Sequence, residues 1–315
     1  MENLPMNLLV LNHDAVKYKE ILEPKFPQIT IHAAETEAAV GPFIEKADII
    51  TTIRISDQMI KRAVNLKWIQ AMITGTDYIT KLPSLKKDVL LTSTRGIHGP
   101  QMSEMAIFLM IALNRNLPKM IRNQTQKIWE RWPTRLLYKK TVGIMGVGII
   151  GEAIAQKCKA FDMTVIGLGH VLRQVPGVDH FYTLDKLHEV IAEVDYFICV
   201  APSTPDNQKM IGAEAFARMK SSAFFINIGR GEVVDEEALI HALQEKKIAG
   251  AALDTFWKEP LPPESPLWNL ENTIITPHVG GMSDIYVEQV LTIFEENLRR
   301  FLRGEKETLI NLVEH

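Results

Sequence analysis

Residues 141–151 read Thr141-Val142-Gly143-Ile144-Met145-Gly146-Val147-Gly148-Ile149-Ile150-Gly151. An apolar run meets three glycines spaced G-x-G-x-x-G, and a helical pattern then continues to Phe161. Glycine is common, so the spacing alone says little; a strand before it and a helix after it give it weight. Gly146 permits the tight turn, Gly148 lets the backbone approach a pyrophosphate, and Gly151 lets the helix pack on the strand. Phosphates favour the N–H groups of such a first turn, where Ile149 and Ile150 stand, and the positive end of the helix dipole. The stretch therefore predicts the first βα unit of a dinucleotide-binding domain.

Reading outward, apolar strand-like runs recur at 164–168, 196–200, 223–228, 250–253 and 273–276, with helical stretches between the earlier ones. That repetition predicts a doubly wound parallel sheet. Upstream, runs at 7–11, 29–33, 49–53 and 67–72 alternate with helical patterns at 17–22, at 36–47 and behind an N-capping Ser56. They predict a second, smaller parallel α/β domain. An apolar helix starting near Met105 is expected to run on towards Trp129, and a basic loop with Pro133 leads into the strand at Thr141. The amphipathic helix 284–303 is expected to cross back to the first domain, because the strand-like run 309–313 has no partner near it in sequence.

At 315 residues the chain has room for about two domains. A hydrophobic fraction of 46% and a net charge of −3 describe an ordinary globular protein and give no electrostatic case for nucleic acid or an acidic membrane surface. Cys158 and Cys199 lie far apart in apolar segments, so neither a disulfide framework nor a metal site is expected. Glu2 stands where a signal peptide carries positive charge, and no apolar stretch reaches the ~18 residues of a membrane span. A cytoplasmic protein is the expectation.

The end of the second strand of a dinucleotide domain commonly carries an acid for the ribose hydroxyls. Here it reads Val165-Ile166-Gly167-Leu168-Gly169-His170, and no acid occurs between Asp162 and Asp179. His170 and Arg173 stand there instead, which puts NADP ahead of NAD. Three further segments follow strands: Ile228-Gly229-Arg230-Gly231, Asp254-Thr255-Phe256-Trp257-Lys258-Glu259-Pro260, and Thr276-Pro277-His278-Val279-Gly280-Gly281. Singly each is bland. Together they supply what reduction of a 2-keto acid needs. Histidine is a proton donor near neutrality, a carboxylate holds and charges the imidazole, and arginine matches the substrate carboxylate with a fork of donors.

With these segments in order, the chain resembles the D-isomer-specific 2-hydroxyacid dehydrogenase family. The matching stretches are 146–156, 226–243, 251–268 and 276–281, with 96–104 and 296–305 also fitting. The resemblance implies two α/β domains, each with a doubly wound parallel sheet: a flavodoxin-like substrate domain from 1–100 and 286–315, and a Rossmann cofactor domain at 101–285. It implies His278 as acid/base, Glu259 as its partner, and Arg230 on the substrate carboxylate with the backbone of Thr74 and Gly75. Gly146, Gly148, Ile149, Ile150 and Gly151 would hold the dinucleotide, with Ala201, Pro202, Ile228, Gly229, Asp254 and Gly280 lining it and His170 and Arg173 at its ribose. Val200 departs from the family, many members of which carry His there.

The implied activity is hydride transfer between NAD(P)H and C2 of a small 2-keto acid such as glyoxylate, hydroxypyruvate or pyruvate. A homodimer is implied as well, and the apolar helix from Met105 with the loop 129–133 is the surface expected to pair. A different class remains open: a dinucleotide-sensing, corepressor-like binding protein.

Overall fold

The computed structural model describes residues 6–315; Glu2 lies outside them. The chain divides into two compact units, one running up to Ile97 and resuming at Ser283–His315, the other spanning His98–Met282.

The first unit holds five parallel strands: β1 Asn7–Leu11, β2 Thr30–Ala34, β3 Ile49–Thr52, β4 Trp68–Ala71 and β5 Leu90–Thr92, in the order β2-β1-β3-β4-β5. The apolar runs are continuous because both faces of the sheet are covered. Leu8 and Val10 point into one core, Leu9 and Leu11 into the other. The pattern expected as one helix over 36–47 is a short helix Glu37–Val40 followed by a 3-10 turn Gly41–Glu45. Gly41, at φ 59°, and Pro42 break it. The strand β5, only three residues long, escaped the pattern reading.

The second unit holds seven parallel strands: β6 Thr141–Met145, β7 Thr164–Gly169, β8 His180–Thr183, β9 Tyr196–Cys199, β10 Phe224–Asn227, β11 Gly250–Leu253 and β12 Thr273–Ile275. Their order, β12-β11-β10-β9-β6-β7-β8, reverses direction between β6 and β9. That reversal is the switch point at which doubly wound folds bind ligands. The edge strand β8 was not expected, since its residues lie at least partly in solvent and carry no apolar run. The helix expected to run unbroken from Met105 begins at Gly99 and stops at Arg115. Asn116 turns left-handed, at φ 54°, and its side chain caps a second helix, Leu117–Gln126, with Pro118 in its first turn. Proline has no N–H to continue the ladder but fits a helix start.

The helix Tyr286–Leu302 packs in the core of the first unit. Its Phe294 and Phe301 rings lie 5.6 and 5.1 Å from the buried Trp68 ring. A buried polar network fastens it. Trp68 Nε1 donates to Thr92 Oγ1 at 2.8 Å, and Thr92 Oγ1 donates to Gln70 Oε1 at 2.8 Å. Asn297, fully buried, donates to the same Gln70 oxygen at 3.2 Å and accepts from Ile310 N at 2.7 Å. The run 309–313, without an evident partner in sequence, reaches β5: Val313 N donates to Leu91 O at 2.8 Å, and Thr92 forms an antiparallel bridge with Leu312. Among the described residues no helix is long and apolar enough to cross a membrane.

Replacing Asn297 by leucine would leave buried partners unpaired, and such groups cost about 1–3 kcal/mol each. We expect Asn297→Leu to lower the stability of the first unit by about 2–3 kcal/mol in urea denaturation. A change below ~0.5 kcal/mol would mean that the network is not holding the helix.

Candidate active site

The glycine loop leaves β6 at Gly146, whose φ of 96° an L side chain rarely adopts. A Cβ there would lie 2.6 Å from the backbone of Ala201, at the end of β9. Gly229, at the end of β10, is equally tied to that point, since its Cβ would meet Ala201 O at 2.7 Å. The fold thus gathers Gly146, Ala201 and Gly229 across the switch point, with Pro202 and Ile228 beside them in the chain. Gly151 packs the helix Ile149–Ala160 down, its Cβ position being 2.8 Å from Gly146 O. Gly148 differs: a Cβ there would meet nothing within 4 Å. That open space at the helix N-terminus, beside the exposed Ile149 and half-buried Ile150, fits a pyrophosphate.

On the other flank of β6, β7 ends at Gly169, followed by the exposed His170 and Arg173. Arg173 is folded back on the glycine loop. It pairs with Glu152 Oε1 at 3.2 Å and donates to the Val147 carbonyl. The strand it follows, β7, stands three positions along the sheet from β10, which Arg230 follows. The arrangement is elongated along the C-terminal edge of the sheet, as an extended dinucleotide requires.

The residues expected to carry the chemistry, Arg230, Glu259 and His278, lie beyond β10, β11 and β12. His278 Nδ1 is 2.7 Å from Glu259 Oε2, and Glu259 Oε1 accepts from Phe256 N at 3.1 Å. Both side chains are partly exposed, so the pair opens to solvent rather than to the core. His278 has a left-handed backbone, φ 53°, which places it in a tight turn with its N–H on Thr276 O at 3.0 Å. Non-glycine residues rarely hold that conformation without outside support.

The support is Asp254, 1% exposed at the end of β11. Its Oδ1 accepts from Thr276 Oγ1 at 2.6 Å and from Val279 N at 3.0 Å, and its Oδ2 accepts from Gly280 N at 2.9 Å. Sequence reasoning placed Asp254 and Gly280 beside a cofactor and missed this bracing of the histidine loop. The chief hint was the residue type: a buried acid must be hydrogen-bonded.

Arg230 follows β10 in a turn clipped by buried Asn227, which accepts from Gly229 N at 3.1 Å and donates to Arg230 O at 3.1 Å. The guanidinium donates to Gly229 O at 2.7 Å, and among the described residues no carboxylate lies within 4.0 Å of it. The turn is pressed onto the Glu259 loop, for a Cβ on Gly231 would come within 2.0 Å of the Phe256 carbonyl. Buried His98 closes the far side of the histidine loop, its Cδ2 3.4 Å from the Cβ position of Gly281. Burial, and then the positive charge of Arg230, push its imidazole down to about 4. Asn227 and Gly231 were not recognised from sequence as parts of this frame.

Thr74 and Gly75 lie past β4 in the first unit, in the turn before the helix Asp77–Thr80. Arg54 and Arg95 of the same unit are exposed.

A family model described as the NAD binding domain of D-isomer specific 2-hydroxyacid dehydrogenases matches residues 107–280. The chain belongs to the D-isomer specific 2-hydroxyacid dehydrogenase family. Its cofactor is therefore a nicotinamide dinucleotide, and the second unit carries the NAD-binding domain. It is 31% identical over 309 residues to D-3-phosphoglycerate dehydrogenase of Methanocaldococcus jannaschii, covering 96% of this chain but 58% of that relative's length. A D-isomer specific 2-hydroxyacid dehydrogenase family protein from Aeromonas salmonicida superposes with a TM-score of 0.90 at 32% identity, over 98% of both chains. The NADPH-dependent glyoxylate/hydroxypyruvate reductase of Sinorhizobium meliloti, solved with NADP and sulfate, gives 0.84 at 26% identity, again over 98% of both.

Two outcomes test this frame. Gly231→Ala must drive the Arg230 turn off the Glu259 loop, so we expect kcat/KM to fall at least ~100-fold, as misplacement by about 1 Å can do, with the protein still folded by circular dichroism. Near-normal kcat/KM would show that the contact does not position Arg230. His98 binds a proton in the unfolded chain below its ordinary 6.5 but in the folded protein only near 4. Stability should therefore fall as pH drops through that window, and His98→Gln should flatten the dependence in denaturation midpoints measured across it.

Proposed function

We propose that this chain is a cytoplasmic, homodimeric D-2-hydroxyacid dehydrogenase that prefers NADP and reduces a small 2-keto acid of the glyoxylate or hydroxypyruvate kind. The observation that carries the reading is the His278–Glu259 pair at 2.7 Å, on a loop against which the Arg230 turn is pressed, with no carboxylate of the described chain on Arg230. An arginine so placed suits a substrate carboxylate, which it grips through two parallel N–H bonds. Thr74 and Gly75 keep the role the resemblance implies, as backbone donors to the same carboxylate.

His278 is the acid. With Nδ1 facing Glu259, Nε2 is the atom left for the substrate, and in reduction it donates its proton to the C2 oxygen as negative charge develops there. Glu259, steadied by Phe256 N, keeps the Nδ1 proton in place and faces the imidazolium charge. In the reverse direction neutral Nε2 takes the hydroxyl proton. The dinucleotide, when bound, supplies or accepts the hydride. Gly146, Gly148, Ile149, Ile150 and Gly151 hold its pyrophosphate, and Ala201, Pro202, Ile228, Gly229, Asp254 and Gly280 frame it towards the reactive end. His170 and Arg173 take the 2′-phosphate, a reading supported by the missing acid at Gly169. The Sinorhizobium reductase, solved with NADP, shows that such a fold accepts this cofactor. Pairing through the second unit is supported by its exposed apolar face, where Phe108, Ile111 and Trp129 stand in solvent. The two free cysteines suit a reducing compartment.

The test is a panel of 2-keto acids with NADPH and NADH, followed by loss of the reduced cofactor's absorbance. We expect turnover of glyoxylate or hydroxypyruvate with the higher kcat/KM for NADPH. His278→Ala should lose ~10²–10⁴-fold in kcat. Arg230→Lys should not restore substrate binding, since an ammonium lacks the planar fork. Glu259→Gln should keep part of the activity, because an amide can still accept from Nδ1 but carries no charge. Binding of the dinucleotide without turnover of any acid would favour a nucleotide-sensing binding protein instead.

A further inference from the structure

The edge strand β8 brings Phe181 against both glycines of β7. A Cβ on Gly167 would lie 2.9 Å from Phe181 Cδ2, and one on Gly169 3.0 Å from its Cζ and 3.3 Å from its Cε1. Gly167 is the direct pairing partner of Phe181, so the ring runs along the face of β7 towards its C-terminal end. A side chain at 169 could start only if the ring gave way by a few tenths of an ångström. The same ring carries Arg173 on its face, with the guanidinium carbon 6.0 Å from the ring centre. The Glu152 carboxylate and the Val147 carbonyl hold the guanidinium from the helix and glycine-loop side.

These contacts join two facts that the sequence left separate, the missing acid at the end of β7 and the arginine a few residues on. We propose that Phe181 is the positioning residue that sets cofactor choice. It crowds a ribose-binding carboxylate at position 169, and its ring, 6.0 Å from the guanidinium carbon, steadies Arg173 for a 2′-phosphate. A guanidinium held over a ring face meets phosphate oxygens with less loss of side-chain freedom than an unsupported arginine. Glu152 is the internal anion that the 2′-phosphate displaces or shares. The proposal rests on the reading that Arg173 receives the 2′-phosphate.

Direct binding to the full-length protein separates the two layers without any turnover. Adenosine 2′,5′-bisphosphate and adenosine 5′-monophosphate are titrated calorimetrically into the wild type, Phe181→Leu, Gly169→Asp and the double variant Gly169→Asp/Phe181→Ala. The wild type should bind the bisphosphate more tightly. Phe181→Leu should weaken the bisphosphate about fivefold and leave the monophosphate within about twofold, the loss expected of an exposed cation–π contact. Gly169→Asp alone should weaken both ligands, because the new side chain and the ring compete for one space. The double variant should regain binding and favour the monophosphate, through the ribose hydroxyls.

A wild type that does not discriminate would sink the Arg173 reading and this inference with it. A discriminating wild type whose ratio survives Phe181→Leu overturns the inference alone. So does a Gly169→Asp single variant that switches preference as fully as the double. If the leucine variant does not fold, Phe181→Met fills the same groove and carries the same expectation.

Discussion

The buried carboxylate of Asp254 is the constraint around which the loops after β10 and β12 are arranged. An acid at 1% exposure is costly unless every nearby donor is aimed at it. Here the donors are the Thr276 hydroxyl and the Val279 and Gly280 amides, all from the loop after β12. Satisfying Asp254 therefore folds that loop back over the end of β11 and leaves His278 at its crest, in a backbone conformation it would not hold alone. Asp254 N in turn donates to Asn227 O at 2.9 Å, and the Asn227 side chain clips the Arg230 turn. One buried carboxylate thus orders the His278 loop directly and, through one residue, the Arg230 turn.

Close backbone approach does the rest. Gly231 against the Phe256 carbonyl and Gly146 and Gly229 against Ala201 are contacts in which no Cβ can stand. Such contacts hold loops in register without side chains, and the His278, Glu259 and Arg230 side chains are left partly exposed. The same economy marks the cofactor end, where Gly167 and Gly169 make room for a ring from β8 rather than for a side chain of their own.

The position of the groups follows from sheet order. Because the sheet reverses between β6 and β9, the loops after β7, β6, β9, β10, β11 and β12 stand in a row along one edge. Arg173, the glycine loop, Arg230, Glu259 and His278 are spread over that row in space. The loops that carry them are scattered over more than a hundred residues of chain.

Much of this was legible in the sequence, because it depends on local rules. Apolar runs buried on both faces mark parallel strands, the spacing of three glycines marks the βα turn, and Arg230, Glu259 and His278 each follow a strand. What the sequence did not disclose was set by partners distant in the chain. The strand β8 carries too little apolar pattern to announce itself and exists because β7 offers it an edge. The helix from Met105 breaks at Asn116 because that side chain and Pro118 favour a new start over continuation. The C-terminal run 309–313 found its partner in β5, more than two hundred residues earlier. Asp254, Asn227, Gly231 and Phe181 are ordinary residues as letters. They acquire their roles only when the tertiary fold buries a charge, or closes a gap to less than a methyl group's width, beside them.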